Sequence, residues 1–481
     1  MGCGLRFRRA YWAYALATLS GLLLSMSYAM HPLWWAAWAA PAPIILATQL
    51  VTASHRRWLT LLTGLLGGIS SFSYHLTIGG WLVAILILVL VALAWSSAIR
   101  SAVTFAERKQ FLLAVLAIPT VWAAIDTLLI YLSPHGSAGS IAYSQMNALP
   151  VIQVASLGGL PAITFIVLLG GSLAGMLLGF NTGPDRHGLF TASALGGSLV
   201  AASLVFGAIR LHDSDETTGP DITLIAMEGL DELPQSWTAF WDIYGAQVEQ
   251  SSKPGSVVVL PEDIVRLPGD MAEIAARSLG ALASTDRSTI IVGVSVEDGD
   301  ILTRRALVAM PDGTHRWYLK QHLIPGIESE LTPGSQSLVL PLGNTVAGIA
   351  ICKDMHFPTL GREYGRADAR LMIVPAYDFD VDDWLTARMT VLRGVESGFS
   401  IARSARNGFS FVSDRKGRVI AERRSNTTVG ILEVRAPVHT GKPTLYASIG
   451  DLFGWLCVLG WATLLFLRSG LSRRALERNR S

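Results

Sequence analysis

Val346-Ala-Gly-Ile-Ala-Ile-Cys352-Lys-Asp-Met-His-Phe-Pro358 is the stretch on which the fold turns. Its unbroken apolar run predicts a buried strand over 346–352. A polar turn follows, and Pro358 suits the first turn of a helix, predicted over 357–367. A strand feeding a helix through a short turn is the unit of an α/β layered domain. The strand also carries a single thiol to its end. A thiol there can meet a substrate, and the following helix N-terminus favours its thiolate.

The same pattern recurs on both sides. Further strands are predicted over 223–227, 257–261, 289–296, 306–310, 371–375, 399–404 and 409–413, and helices over 236–250, 270–283 and 383–397. Two other strand ends carry chemistry. Val257-Val-Val-Leu-Pro-Glu262-Asp263 ends a buried run in a carboxylate, and Trp317-Tyr-Leu-Lys320-Gln-His-Leu-Ile-Pro-Gly-Ile-Glu328 brings a lysine and a glutamate. Each residue alone has a plainer reading. A lone cysteine on an apolar strand is commonly buried filler, Glu262 could cap a helix, and Lys320 could be a solvated charge. Against that last reading, only six of the 38 basic residues are lysines, so a lysine stands out where arginine is the default. Together the three supply a nucleophile, a base and a cation for an oxyanion, as acyl transfer requires.

The α/β stretch lies inside an unusually apolar chain. Of its 481 residues, 51% are hydrophobic and 15% charged, and the mean hydropathy is +0.42. Soluble domains carry about 25% charged residues, so neither an ordinary soluble protein nor a disordered one fits. Residues 211–447 hold 31 of the 36 acidic residues against 23 basic ones, a net of −8; the rest holds 15 basic and 5 acidic, a net of +10. A membrane protein with one soluble insert fits this division. The overall charge of +2 gives no basis for nucleic-acid binding. Three scattered cysteines (Cys3, Cys352, Cys457) make no disulfide framework or metal site, and no cofactor motif follows a strand.

About eight transmembrane helices are predicted, at 10–29, 33–52, 58–76, 79–98, 111–133, 156–180, 189–209 and 449–467. The first could instead be a cleavable signal peptide behind Arg6, Arg8 and Arg9. With the N-terminus inside, the inside segments hold 14 basic residues and the short outside loops none. The positive-inside rule then places residues 211–447 outside the cytoplasm and both termini within it. The resulting domains are 1–210 with seven spans, 211–447 soluble, and 448–481 with the eighth span and a basic tail. Asp126 lies within the fifth span, where a carboxylate is either functional or hydrogen-bonded between helices. The outside loop around His135-Gly-Ser-Ala-Gly-Ser-Ile-Ala-Tyr-Ser-Gln145 is polar and rich in Gly and Ser.

Set in order, these fragments resemble the nitrilase (carbon–nitrogen hydrolase) superfamily, and with the spans around them its apolipoprotein N-acyltransferase branch. The matching pieces are Leu260-Pro-Glu262, Lys320-Gln-His-Leu-Ile-Pro with Glu328, and Ile351-Cys352-Lys-Asp-Met-His-Phe-Pro358. Ala387-Arg-Met-Thr-Val-Leu-Arg-Gly-Val-Glu396, Arg406-Asn-Gly408, Thr444-Leu-Tyr-Ala-Ser-Ile-Gly-Asp451, Pro234-Gln-Ser-Trp237 and Ala142-Tyr-Ser-Gln145 also match. The resemblance implies an αββα sandwich with Glu262 as general base, Lys320 as oxyanion stabiliser and Cys352 as nucleophile. It assigns Glu328 a positioning role, with Trp237 in support; Lys353 and Asp354, beside Cys352, are read as further supporting residues, Lys353 expected to point away from the pocket and pair with a carboxylate such as Asp354 or Asp378. It implies a multi-pass bacterial inner-membrane enzyme that moves an acyl chain from a phospholipid, through a Cys352 thioester, to the α-amine of a diacylglyceryl-modified apolipoprotein. No cofactor is implied. An amidase, or an acyltransferase for another amine, is the competing expectation. The family usually places Tyr-Glu after the nucleophile, where this chain has Lys353-Asp354, and Ser-Asn-Asp-Ala-Trp-Phe where it has Pro375-Ala-Tyr-Asp-Phe-Asp-Val-Asp-Asp-Trp384.

Overall fold

A computed structural model describes residues 2–180, 186–213, 216–227, 233–425, 428–439 and 441–478. The side chains of Cys3 and of the basic tail beyond residue 470 lie outside the described residues. The chain divides into two compact units. One comprises Met1–Tyr131, Gly139–Leu211 and Asp451–Ser481, the other Leu132–Ala138 and His212–Gly450.

The first unit is helical. Among its described residues, five helices are long and apolar enough to cross a membrane: Gly79–Glu107, Phe111–Leu132, Leu160–Phe180, His187–His212 and Leu452–Gly470. The expected count of about eight is therefore not confirmed. The first expected span lies in the helix Gly2–Tyr28, whose Tyr, Trp, Ser and Thr residues dilute its hydropathy. The second is broken into Trp34–Ala39 and Pro41–Gln49 where Pro41 starts a new helix. The third is only the 16-residue helix Ala53–Gly68, which passes into a 3₁₀ turn at Ile69. Asp126 is buried and accepts hydrogen bonds from Ser140 Oγ at 2.8 Å and from Thr164 Oγ1. These partners fit the hydrogen-bonded reading of this carboxylate.

Among its described residues the second unit has thirteen strands: β1 (Glu216–Ala226), β2 (Val257–Val259), β3 (Arg266–Pro268), β4 (Thr289–Asp298), β5 (Ile301–Ala309), β6 (His315–Leu319), β7 (Leu338–Leu342), β8 (Thr345–Ile349), β9 (Leu371–Tyr377), β10 (Ser400–Arg406), β11 (Phe409–Ser413), β12 (Val419–Arg424) and β13 (Gly430–His439). One sheet runs β13-β1-β2-β4-β5-β6 with β3 beside β4, the other β12-β11-β10-β9-β8-β7. Alternating side chains sort each strand between two cores. Val257, Val259 and Ile291 face Ala347, Ile349 and Ile373 of the opposite sheet. Val258, Ile290 and Val292 instead meet Phe240, Tyr244, Ala276 and Leu279 of the helices Trp237–Ser251 and Gly269–Asp286. The helices Pro358–Arg366 and Asp383–Ser397 cover the second sheet. The result is an αββα sandwich.

Strand directions bring the chemistry to one edge. β2 is parallel to β4, while β5 is antiparallel to both β4 and β6, so β2 and β6 end on the same side. In the second sheet β8, β9 and β10 are mutually parallel. Glycine is required at Gly293 of β4. A Cβ there would lie 2.3 Å from Pro261 O and 2.5 Å from Glu262 Cα, so only hydrogen lets the Pro261-Glu262 turn cross β4 this closely.

Candidate active site

Glu262 follows β2, Lys320 follows β6 and Cys352 follows β8. All three are buried, Lys320 to 1% exposure. The Lys320 ammonium donates to Glu262 Oε1 and to Glu328 Oε1, each at 2.8 Å. Burial disfavours its charge, but Glu262, the Cys352 thiol and Glu328 outweigh burial and hold its pKa above the ordinary lysine range. Lys320 is therefore a fixed ammonium and not a solvated charge. Glu328 Oε2 accepts from Ile324 N at 2.8 Å, which anchors the loop after Lys320 to the same carboxylate.

Cys352 starts a 3₁₀ turn that runs to His356, and its φ of 45° lies in the left-handed region that non-glycine residues seldom occupy. Its thiol donates to Tyr377 O at 3.3 Å. Burial pushes the thiol well above the ordinary cysteine range; Glu262 adds to this and Lys320 opposes it. The turn alone thus does not give the thiolate that a helix N-terminus was expected to favour. Glu262 borders the same cavity as Lys320, whereas Cys352 is not among the residues that line it.

Asp354 ties the Cys352 turn to the loop after Lys320. Its Oδ2 accepts from Ile351 N at 3.0 Å and Tyr318 Oη at 2.8 Å. Its Oδ1 accepts from Gln321 N at 3.1 Å and His322 N at 2.9 Å, and lies 3.0 Å from His322 Nδ1. Lys353 is buried and donates to Leu323 O at 2.8 Å, not to Asp354 or Asp378. Burial, with the like charge of Lys320, lowers its pKa to about 8. Asp378 is occupied by Arg403, which forks onto both its oxygens, and by Thr386 Oγ1 at 3.1 Å. Trp237 stacks on Phe240 at 4.6 Å in the outer core; like Cys352, Lys353 and Asp354, it is not among the residues that line the cavity.

The cavity holds about 180 Å³ and is bordered by Glu262, Lys320, Glu328, Tyr377, Phe379 and Arg304, among others. Tyr377 and Phe379 fall in the segment that departs from the family pattern. The Arg406 guanidinium backs the Tyr377 ring at 3.8 Å. Sequence reasoning missed Arg304 and Asp263; the signal was the pair Arg304-Arg305 inside an otherwise apolar strand. The Gly/Ser-rich loop also reaches this turn, since Ser137 donates from N at 3.1 Å and Oγ at 2.8 Å to His356 O. Among the described residues, no cluster of three or more His, Cys, Asp or Glu side chains could hold a metal.

Comparison with known proteins gives matches in both parts of the chain. Residues 20–173 match the model of the apolipoprotein N-acyltransferase N-terminal domain, and residues 242–440 that of the carbon-nitrogen hydrolase domain. The apolipoprotein N-acyltransferase of Geobacter metallireducens is 24% identical over 94% of this chain and 95% of its own. That of Bradyrhizobium diazoefficiens is 26% identical over 73% of each, and that of Vibrio vulnificus 22% identical over 92% and 96%. Among solved structures, an amidase from Nesterenkonia sp. is similar at 19% identity with a TM-score of 0.41, covering 48% of this chain and 93% of that one.

Proposed function

We propose that this chain, which belongs to the apolipoprotein N-acyltransferase family of the nitrilase superfamily, transfers a fatty acyl group from a phospholipid to the N-terminal amine of a diacylglyceryl-modified apolipoprotein. The observation that carries this reading is the buried ammonium of Lys320 held between Glu262 and Glu328 on one cavity, with the Cys352 thiol, in the turn after β8, close enough to both Glu262 and Lys320 to feel their charges.

In the first half-reaction Glu262 takes the thiol proton and the sulfur attacks the ester carbonyl of the donor. Lys320 stabilises the oxyanion. The C–S bond forms, the C–O bond breaks, and the proton on Glu262 passes to the departing alkoxide, leaving a lysophospholipid and a thioester. In the second, the acceptor's neutral amine attacks the thioester carbonyl. The C–N bond forms, the C–S bond breaks, and the amine proton returns through Glu262 to the thiolate. Splitting the transfer this way replaces one hard step by two easier ones. The raised thiol pKa supports a base-assisted start, because a thiol buried here stays protonated until a carboxylate relieves it.

In this reading the chain spans the bacterial inner membrane, residues 211–447 form the catalytic domain outside the cytoplasm, and both termini lie in the cytoplasm. The absence of basic residues from the short outside loops supports that orientation. The test is mass spectrometry of the purified protein after incubation with phospholipid and no amine. An acyl adduct on Cys352, absent from Cys352→Ala, is the expected result. No adduct overturns the thioester route. Steady release of free fatty acid in place of a stable adduct would favour the amidase alternative.

A further inference from the structure

Arg304 stands on β5, where its backbone carbonyl accepts Lys320 N at 2.9 Å. Its side chain is 13% exposed and meets three carboxylates. Nη1 pairs with Asp263 Oδ2, Nε lies 3.7 Å from Glu262 Oε1, and Nη2 lies 3.6 Å from Glu328 Oε1. The last two oxygens are the same atoms that receive the Lys320 ammonium. Glu262 and Glu328 are therefore each bracketed by two cations, and Asp263 anchors the second of them. Asp263 is itself fixed, with φ 55°, a hydrogen bond from Ser295 Oγ at 2.6 Å, and Arg406 3.8 Å away.

Glu262 and Glu328 share the Lys320 ammonium, and the repulsion between them favours splaying. A planar guanidinium can pair with Asp263 and still lie within ion-pair distance of the other two carboxylates, which a lysine's point charge cannot reach together. We infer that Arg304 is a positioning residue for acyl transfer, holding the Glu262 and Glu328 oxygens on Lys320. It rests on the proposed roles of Glu262, Lys320 and Cys352, and it acts through the carboxylates.

The test compares wild type, Arg304→Ala and Arg304→Lys in detergent–phospholipid micelles, following adduct formation on Cys352. Arg304→Ala lowers kcat of the acylation step by ~10²-fold, the cost of misplacing a catalytic group by about 1 Å, while KM for phospholipid stays near wild type. Arg304→Lys loses less, and millimolar guanidinium chloride, far below denaturing concentrations, restores part of the Arg304→Ala rate. A wild-type kcat in Arg304→Ala overturns the inference. So does a loss carried by KM with no response to guanidinium. If Arg304→Ala fails to accumulate, Arg304→Lys decides alone: reduced kcat at unchanged KM supports the role, and unchanged kcat refutes it. A wild-type protein that forms no Cys352 adduct instead removes the mechanism itself, so the two failures are distinguishable.

Discussion

Replacing Asp354 by asparagine alters one atom of a buried carboxylate that accepts four hydrogen bonds and adjoins the His322 ring nitrogen. The amide can keep its oxygen toward Gln321 N and His322 N, but its NH₂ then faces Ile351 N–H and Tyr318 Oη. The tyrosine hydroxyl can rotate and accept. The Ile351 N–H cannot, and it is orphaned in a buried position directly before Cys352. An unsatisfied buried donor costs about 1–3 kcal/mol. Asp354→Ala orphans all three backbone donors and leaves the loops untied, a loss of about 3–5 kcal/mol or more. A domain of this size loses ~2–4 °C of Tm per kcal/mol, so Asp354→Asn should melt about 2–12 °C lower. Activity should fall further than stability, because the released strand end carries Cys352 in its left-handed conformation. The assay pairs thermal unfolding in detergent with the rate of Cys352 alkylation. An Asp354→Asn protein that matches wild type in both would refute the tether.

Glu262→Gln and Lys320→Ala should each slow acylation by at least ~10²-fold in single-turnover measurements, and Lys320→Arg should be equally poor because a guanidinium does not fit the two-carboxylate slot. Lys353 titrates at about 8 in the fold against 10.5 for an ordinary lysine. Between those values the unfolded chain holds a proton that the folded chain has released, so this residue makes stability rise with pH across that window and contributes no slope below it. Lys353→Met removes the slope, so melting curves should show wild type gaining on the variant by about 1–2 kcal/mol from about pH 7.5 to about pH 10; a gain in the other direction would contradict the burial argument. A reporter inserted at Gly219 that works only outside the cytoplasm should be active, and activity of a cytoplasm-only reporter there would reverse the proposed topology.

The central strands of the sandwich were legible because Val257–Val259, Thr289–Val296 and Val346–Ile351 are apolar runs between turn signals. The edges were not. β12 ends in Ala-Glu-Arg-Arg, and β6 begins His-Arg, since an edge strand needs only one apolar face. Glu262, Lys320 and Cys352 could be picked out because each closes a buried run. Arg304 could not, because its meaning depends on antiparallel pairing that sets it beside Lys320 across fifteen residues of hairpin. Trp237 came from the resemblance of Pro234-Gln-Ser-Trp237 alone, and its stacking on Phe240 is set by the helix that it starts. The expected span count was not confirmed where Pro41 starts a new helix and the helix ending at Gly68 passes into a 3₁₀ turn, within apolar segments whose composition alone reads as continuous.

Glu262 and Lys320 follow strands of one sheet and Cys352 a strand of the other, and Glu262 N donates across to Ala376 O of β9 at 3.2 Å, so the fit of the two sheets governs how the proposed base meets the proposed nucleophile. The side chains packed between the sheets, such as Val259, Ile291, Ala347 and Ile349, act as shims that gauge the reaction coordinate. Close-packed interiors transmit small volume changes instead of absorbing them. A methylene added or removed along this inner seam is therefore felt as mistuned chemistry while the fold still stands. The same change in the outer core around Phe240 and Leu279 registers as stability alone. Sequence drift in this enzyme is thus filtered twice at the seam and once outside it.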